Sequence, residues 1–189
     1  MPIMDVRYPK SSLDKAAKAA LAERLTGVLI RMEGGANTRQ GRAFAWVLFT
    51  EMADDDFWIG GRTDNEFVSP HGKFLVRVTI PEGYMNALHK REVHNWVTSA
   101  IVNVTSPQGN AATDGVMVVI DEVTEGNWGA NGKTISLDAI AGAVGQSKDG
   151  ERFKWVQSYY EAKARAYTSA GYPKDTGGLL PSLSHSAGA

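Results

Sequence analysis

Residues 43–51 read Ala-Phe-Ala-Trp-Val-Leu-Phe-Thr-Glu, and residues 116–122 read Val-Met-Val-Val-Ile-Asp-Glu. Each stretch is almost continuously apolar, and each ends at a glutamate, Glu51 in the first and Glu122 in the second. A short apolar run of this kind is typical of a strand that is buried on both faces, as in a parallel sheet. The two stretches therefore predict two buried strands at corresponding places in a repeated sequence.

The sequence around these strands repeats at a nearly constant spacing. Three pairs lie 71 residues apart and one pair lies 72 apart, namely Glu51 and Glu122, Phe57 and Trp128, Gly61 and Gly132, and Pro9 and Pro81. One shared spacing, with a single-residue slip before the second strand, is hard to obtain by chance. Each half of the chain is therefore expected to fold into the same unit.

A strand and a helix precede the buried strand in each half. Strands are predicted over 3–8 and 74–80, where alternate residues are apolar, and helices over about 11–32 and 84–104, where the apolar spacing is helical. This order predicts two β-α-β units with parallel strands inside each unit. Since one such unit cannot cover its own sheet, we expect an α/β (α+β) fold with one four-stranded mixed sheet and two helices on one face.

The domain boundaries follow the repeat. We predict a fused domain over 1–135, with repeat one at 2–62 and repeat two at 73–133. An extra helix is predicted within a C-terminal helical extension at 136–170, and a Gly-, Ser-, Pro- and Leu-containing tail follows at 171–189.

The predicted sheet has a second face of mixed polarity. Asp5 and Arg7 of the first strand, and Leu75, Arg77 and Thr79 of the third, alternate with the apolar residues that should face the helices. A mixed face of this kind needs a cover, and another subunit is the expected one. The chain is therefore predicted to form an oligomer.

Composition excludes several classes of protein. The chain has 20 basic and 21 acidic residues, without a long basic run, which argues against a nucleic-acid partner. It has no cysteine, and therefore no disulfide, thiolate zinc site or cysteine nucleophile. No apolar stretch reaches the roughly 20 residues of a membrane helix, and a signal peptide pattern is missing. We expect a cytoplasmic protein without a membrane partner.

Two motifs resemble ligand sites but lack the required spacing. Residues 131–134 read Asn-Gly-Lys-Thr, like the end of a phosphate-binding loop, but Asn127 stands where that loop needs its first glycine. His89 and His94 are five residues apart, so they do not share one face of a helix. No metal site and no cofactor are predicted.

The chain begins with Met1 and Pro2. Removal of Met1 would give Pro2 a free secondary amine, and a terminal amine titrates near ~8. Burial or a nearby cation lowers the pKa of an amine, which would make Pro2 a general base near neutral pH. The simpler alternative is that Pro2 only shapes the beginning of the first strand.

Residues 50–61 resemble a segment of a known protein family. Thr50-Glu51-Met52-Ala53, three acidic residues, and then Phe57-Trp58-Ile59-Gly60-Gly61 resemble the second strand and terminal hairpin of 4-oxalocrotonate tautomerase. The proline after the initiator Met, the helix and the strand come in the same order and at the same spacing. The second half repeats this pattern more loosely, through Glu122 and Trp128. Over residues 2–135 the chain resembles the tautomerase superfamily, in its fused form with two β-α-β units.

This resemblance implies a homotrimer of fused chains, with sheets inside and helices outside. It also implies a cofactor-independent keto–enol tautomerase, an isomerase, or a related lyase. In such an enzyme Pro2 is the catalytic general base, or acid, on a small 2-oxo acid or enol. The equivalent of Pro2 in repeat two is Phe74, which is internal, so each chain offers one such proline. The alternative is a non-catalytic oligomeric protein of the same fold that binds a ligand or partner.

The arginines of the family are replaced in this chain. The position after the first strand of each repeat holds Ser12 and Tyr84, and the position in the second strand holds Trp46 and Met117. Because arginine clamps a carboxylate by two parallel hydrogen bonds, their loss argues against a dicarboxylate substrate.

Six residues are the substrate-binding candidates, and they are Tyr84, Phe57, Trp128, Trp46, Arg62 and Arg77. Phe57 matches a pocket wall of the family, and Tyr84 could donate a hydrogen bond to a developing enolate. The alternative for Phe57 and Trp128 is a place in the core or in a subunit interface. The alternative for Arg77 is an ion pair with Asp5, which occupies the equivalent position in repeat one.

Overall fold

The structure is a computed structural model that describes residues 2–34, 37–68, 72–106 and 113–184. In chain order its elements are β1 (Ile3–Pro9), α1 (Lys15–Met32), α2 (Arg39–Phe44), β2 (Trp46–Met52), β3 (Phe74–Pro81), α3 (Ala87–Thr105), β4 (Val116–Val123), β5 (Gly129–Ala130), β6 (Lys133–Thr134), α4 (Leu137–Ala143), α5 (Glu151–Ser169) and α6 (Pro181–Ser184). None of the helices in these ranges combines the length and the apolar character needed to cross a membrane.

Four strands form one mixed sheet in the order β2-β1-β3-β4. β1 is parallel to β2, and β3 is parallel to β4. The two pairs are joined by antiparallel pairing of β1 with β3, in which Val6 faces Val76 at the centre. This arrangement confirms the predicted four-stranded mixed sheet built from two β-α-β units.

Both long helices of the repeats pack on one face of the sheet, as predicted. The buried side chains of β1 and β3 alternate along each strand, which is the pattern of a strand with one covered face. The core between sheet and helices holds Met4, Val6, Tyr8, Leu21, Leu25, Leu29, Val76, Val78, Ile80, Val93, Val97 and Ile101. Burial of these apolar side chains is the main term that stabilises the sheet–helix layer.

The local boundaries differ from the sequence prediction at three places. α1 begins at Lys15, where the Asp14 side chain accepts a hydrogen bond from Ala17 N at 2.7 Å and caps the helix. α3 begins at Ala87 for the same reason, with Asn86 as its cap. The sequence pattern does not predict the short helix α2. This helix includes Ala43 and Phe44 from the beginning of the predicted strand, so β2 begins at Trp46.

The predicted third helix is present as α5, and a polar cluster holds it to the end of β3. Lys163 Nζ lies 2.7 Å and 2.8 Å from the two carboxylate oxygens of Glu82. Tyr159 donates to the Glu82 carboxylate and Tyr160 to the Glu82 backbone oxygen, each at 2.7 Å. Burial acts to raise the pKa of Glu82, but Lys163 and Tyr159 outweigh it and hold that pKa below its usual value.

Part of the predicted tail also packs on the fold. Leu180 is buried in the same core as the sheet, and α6 follows it. Residues 185–189 of that predicted tail lie outside the described residues. The divisions at 135 and 170 stay predictions, since helices and loops on both sides of them share one core.

The second face of the sheet is uncovered in the single chain and carries large apolar side chains at its two edges. The prediction that β2 and β4 are buried on both faces is therefore wrong for the single chain, because both are edge strands and only their inner face packs on the helices. Trp46 and Leu48 of β2 are 50% and 49% exposed, and Met117 and Val119 of β4 are 64% and 37% exposed. We call this the outer sheet face. Exposed apolar side chains grouped at the edges of one sheet face indicate an interaction site.

Charged side chains occupy the middle of the outer sheet face. Arg77 lies directly across from Asp5 in the strand register, as its place in the repeat suggested. However, Arg77 Nε donates to Asp121 Oδ2 at 2.9 Å, and Asp5 instead accepts from Arg7 at 3.1 Å. The expected Asp5–Arg77 ion pair is therefore replaced by two others, because Arg77 pairs with Asp121 of β4 and Asp5 pairs with Arg7 of its own strand.

We expect Gly83→Ala to lower the free energy of unfolding by about 2 kcal/mol or more, since a left-handed residue with a Cβ is strained and the new atom adds an overlap. Gly83 has a φ of +70°, and a Cβ there would overlap the Tyr159 ring of α5. Gly27→Ala is the matched control, because Gly27 lies inside α1 with no atom within 4 Å of a new Cβ. The free energy of unfolding of that control should increase by about 0.5–1 kcal/mol, because alanine is favoured over glycine inside a helix. Urea unfolding at one protein concentration measures both, and equal effects would contradict the role given to Gly83.

Candidate active site at Pro2

Pro2 is buried at one end of the sheet. Its carbonyl oxygen accepts a hydrogen bond from Trp46 N at 3.3 Å, and the next residue, Ile3, pairs with both Trp46 and Thr79. Because β1 and β3 are antiparallel, the beginning of β1 lies beside the end of β3. Pro2 therefore lies near the segment that leaves β3 toward Tyr84.

Glu33 is a buried carboxyl group at this end of the molecule. It follows the last residue of α1, a helix that runs back along β1, and it is only 2% exposed. Burial raises the pKa of Glu33 to about 7, against the opposing effect of the positive chain terminus and of Arg152. The group is therefore close to half ionised at neutral pH, where it can both accept and release a proton.

Tyr84 lies against Glu33 and is 1% exposed. Its hydroxyl lies 2.5 Å from the Glu33 backbone oxygen and 2.9 Å from Gln146 Oε1. A phenol has one proton, so both contacts are satisfied only if the Gln146 amide turns to donate to the hydroxyl. Burial, followed by the charge of Glu33, raises the pKa of Tyr84, which therefore remains a hydroxyl at neutral pH.

Arg152 comes from the first turn of α5 and reaches the same place. Its Nη1 donates to the Met32 backbone oxygen at the end of α1, and its guanidinium lies 5.6 Å from the centre of the Tyr84 ring. His89 of α3 lies nearby. Burial of His89 lowers its pKa, and the positive charge of Arg152 lowers it further. His89 Nδ1 is buried, and within the described ranges no group hydrogen bonds to it.

Two more predicted residues lie at this end of the sheet. Trp46 begins β2, but its indole nitrogen donates to Ala43 O at 3.1 Å and its ring belongs to the outer sheet face. Trp128 follows β4, whose last residues pair with the end of β3. The indole nitrogen of Trp128 is buried, and none of the residues that the structure describes accepts a hydrogen bond from it.

The remaining candidates lie elsewhere in the same chain. Phe57 and Arg62 belong to the loop after β2, at the opposite end of the sheet, where Lys73 Nζ donates to Phe57 O at 3.1 Å. Arg62 is paired there with Asp64. A seven-residue strand spans about 20 Å, which separates this loop from Pro2. Arg77 projects from the middle of the outer sheet face.

Comparison with known proteins shows which fold and which family the chain resembles. Residues 75–138 match the family described as "Tautomerase enzyme". The solved structure of native fused 4-OT has 23% sequence identity and a TM-score of 0.58, and the match covers 74% of this chain and 97% of that chain. The chain is a fused tautomerase-fold protein. Both findings confirm the resemblance to the tautomerase superfamily.

Other tautomerase-fold structures agree. An R7 fused 4-OT wild-type asymmetric trimer has 17% identity and a TM-score of 0.57, with 74% of this chain and 97% of that chain covered. N1, a member of the cis-3-chloroacrylic acid dehalogenase family, has 17% identity and a TM-score of 0.56, with 88% and 99% covered. At these identities the likeness establishes the fold. No curated protein matches the sequence.

Three polar residues of the site were not predicted from the tautomerase-like sequence. The position of Glu33 could have been predicted from the β-α-β order, because a helix that runs back along β1 must end near Pro2. Gln146 and Arg152 lie in the C-terminal extension, which has no counterpart in the repeat and therefore gives no positional signal. No group of three or more side chains suited to a metal ion occurs in the described part of the chain.

This chain also has a cavity of about 520 Å³, at the opposite end of the sheet from Pro2. Ser12, Lys73 and Thr105 are among its lining residues, so it lies at the beginning of β3, where repeat two has its counterpart of the Pro2 site. Phe74 stands there in place of Pro2, and its amide donates to Gly115 O at 2.8 Å. The cavity therefore has no amine of the Pro2 type.

Glu33→Gln is expected to flatten the dependence of stability on pH. The folded protein holds the Glu33 proton at a pKa of about 7 against an ordinary value of 4.5, so this contribution to stability is complete below pH 4.5 and is lost as the pH rises through 7. The loss is on the order of 3 kcal/mol. Urea unfolding of both proteins between pH 4.5 and 8, at one concentration, measures it.

Glu151→Gln is the control for this experiment, because Glu151 is an exposed carboxylate of α5. It should keep the slope of the unmodified protein. A variant Glu33→Gln with the same slope as the unmodified protein would show that Glu33 is not held in its protonated form by burial.

Proposed function

We propose that the chain is a cofactor-independent tautomerase-type enzyme that acts on a small 2-oxo acid or enol through Pro2. Removal of Met1, which lies outside the described residues, frees the Pro2 amine. The observation that carries this proposal is the place of Pro2. It is buried at the sheet end that also holds Glu33, a carboxyl group whose pKa burial raises to about 7.

Glu33 would set the protonation state of the Pro2 amine. When Glu33 is ionised, its charge favours the protonated amine, which is then a general acid. When Glu33 is protonated, the amine keeps its lone pair and is a general base. Because the pKa of Glu33 is close to 7, either state is accessible at neutral pH at a small free-energy difference.

Ketonisation of an enol then requires two proton movements. The enol hydroxyl loses its proton as its oxygen becomes a carbonyl, and the neighbouring carbon gains a proton from the site. The Pro2 amine would carry out one of these transfers, with Glu33 as the group that exchanges a proton with it. Tyr84 stays a hydroxyl and hydrogen bonds the Glu33 backbone oxygen, so it holds the end of α1 in place.

The active form is proposed to be a homotrimer. Trp46, Leu48, Met117 and Val119 give the outer sheet face two apolar edges that another copy would cover. The similar fused 4-OT structures include symmetric and asymmetric trimers. In such an assembly Phe57 and Arg62, which are far from Pro2 in their own chain, would reach the Pro2 site of a neighbour.

The second candidate function is a ligand- or partner-binding protein of the same fold without turnover. The observation that favours it is that Pro2 is buried in the single chain. An amine that no substrate can reach would leave only the fold and its binding surfaces.

The test of catalysis is ketonisation of phenylenolpyruvate by protein whose intact mass shows that Met1 is absent. Pro2→Ala keeps a terminal amine but loses the rigid ring, and it should lower kcat/KM about 100-fold, since a positioned acid–base group contributes that much or more. Pro173→Ala, at an exposed proline of the C-terminal segment, should change nothing. An undiminished rate in Pro2→Ala, or full activity with Met1 retained, would exclude Pro2 from the mechanism.

Sedimentation or light scattering tests the assembly. The unmodified protein should have three times the chain mass of 20.4 kDa. Met117→Glu places a charge on the outer sheet face and should shift the protein toward the monomer, since an unpaired charge is costly to bury. Leu88→Glu changes an exposed apolar residue on the helical side and should leave the trimer intact. Trimers of unchanged stability in Met117→Glu would place the interface elsewhere.

A further inference from the structure

Arg152 is held in a fixed position at the Pro2 end of the molecule by three neighbours. Its Nη1 donates to the Met32 backbone oxygen, and its guanidinium lies over the Tyr84 ring, 5.6 Å from the ring centre. Its Nε and Cδ lie 3.7 Å and 3.8 Å from the place that a Cβ would take on Gly34. The side chain is half-buried and is supplied by a helix outside the repeat.

The guanidinium has no carboxylate partner. Among the carboxylates of the described segments, none lies within 4.0 Å of it, whereas Lys163 and Arg77 each have one and Arg62 has two. Burial lowers the pKa of Arg152, against the opposing effects of Tyr84, Glu92 and Glu33. A guanidinium has five N–H donors in a planar fork, and the Met32 backbone oxygen uses one nitrogen.

The charged and titratable groups that face Arg152 come from α3 and from the segments after α1 and β3. Tyr84 stays neutral, and Glu92 and Glu33 act on Arg152 from α3 and from the end of α1 without forming an ion pair with it. His89 faces it from α3 with a buried Nδ1 that, in the part of the chain described, has no hydrogen-bond partner. A cation with free donors and an unsatisfied ring nitrogen together indicate a polar ligand.

We propose that Arg152 binds the carboxylate of a small carboxylic acid at the Pro2 end of the sheet. Carboxylate oxygens match the planar fork of a guanidinium, which binds them by two parallel hydrogen bonds. The cluster of Glu33, Tyr84, His89 and Arg152 contributes a single guanidinium, so the ligand class is a monocarboxylate such as a 2-oxo acid. The proposal rests on the proposed function for the identity of the reaction, but binding tests it without turnover.

The test compares phenylpyruvate with its methyl ester, which has the same carbon skeleton without the negative charge. Dissociation constants for both compounds are measured by calorimetry on protein without Met1. The readout is the ratio of the two constants, because a fraction of unfolded protein would weaken both by the same factor. The unmodified protein should bind the acid more tightly than the ester.

Arg152→Gln should weaken binding of the acid about 10- to 100-fold and leave the ester unchanged, since a charge-assisted pair is worth that much. Arg152→Lys should lose only part of the preference, because it keeps the charge but not the fork. Lys154→Gln, an exposed cation of the same helix, is the control and should keep the ratio of the unmodified protein.

Three outcomes separate this inference from the proposed function. An unchanged ratio in Arg152→Gln, or no preference for the acid in the unmodified protein, overturns the role of Arg152, whatever the enzyme activity is. A ratio that depends on Arg152 without any ketonisation supports the carboxylate site and overturns the proposed function. Loss of affinity for both compounds alike in Arg152→Gln would show that Arg152 only fastens α5 to α1, and would also overturn the proposal.

Discussion

The antiparallel pairing of β1 with β3 is the constraint on which the rest of the molecule depends. Each β-α-β unit can pair only its own two strands, and this single ladder, centred on Val6 and Val76, joins the units into one sheet. An antiparallel ladder places the beginning of one strand beside the end of the other. As a result, Pro2 lies next to the segment of Tyr84, and Phe74 lies next to the segment of Ser12.

The two ends of the sheet are therefore equivalent in backbone but different in chemistry. At one end a proline with a potential amine lies near a buried carboxyl group, Glu33, and near an arginine from outside the repeat. At the other end Phe74 fills the place of the proline, and Lys73 bonds to backbone oxygens beside an open cavity. Fusion of the two units in one chain permits this difference, because each end has its own sequence.

The sequence predicts the parts of the structure that belong to the internal repeat. The 71-residue spacing predicts the two units, and each apolar run predicts the second strand of its unit, so the sheet and its helices follow from the pattern. The pattern does not show that β2 and β4 are edge strands with one face exposed in the single chain. Tyr84 could be placed near Pro2 by the same reasoning. Segments without a counterpart in the other half of the chain could not be placed, as the start of α2 and the position of Arg152 show. Choices between nearby partners, such as that of Arg77 for Asp121, depend on side-chain geometry that pattern does not record.

The C-terminal extension is joined to the candidate site through three consecutive residues. Glu82 holds Lys163, Tyr159 and Tyr160 of α5, Gly83 lets the Tyr159 ring approach the backbone, and Tyr84 continues into the cluster around Glu33. The same helix sends Arg152 to the end of α1. A helix held at both places cannot shift without moving either Tyr84 or Arg152. The extension is therefore part of the wall of the site, and its docking fixes the position of the positive charge there.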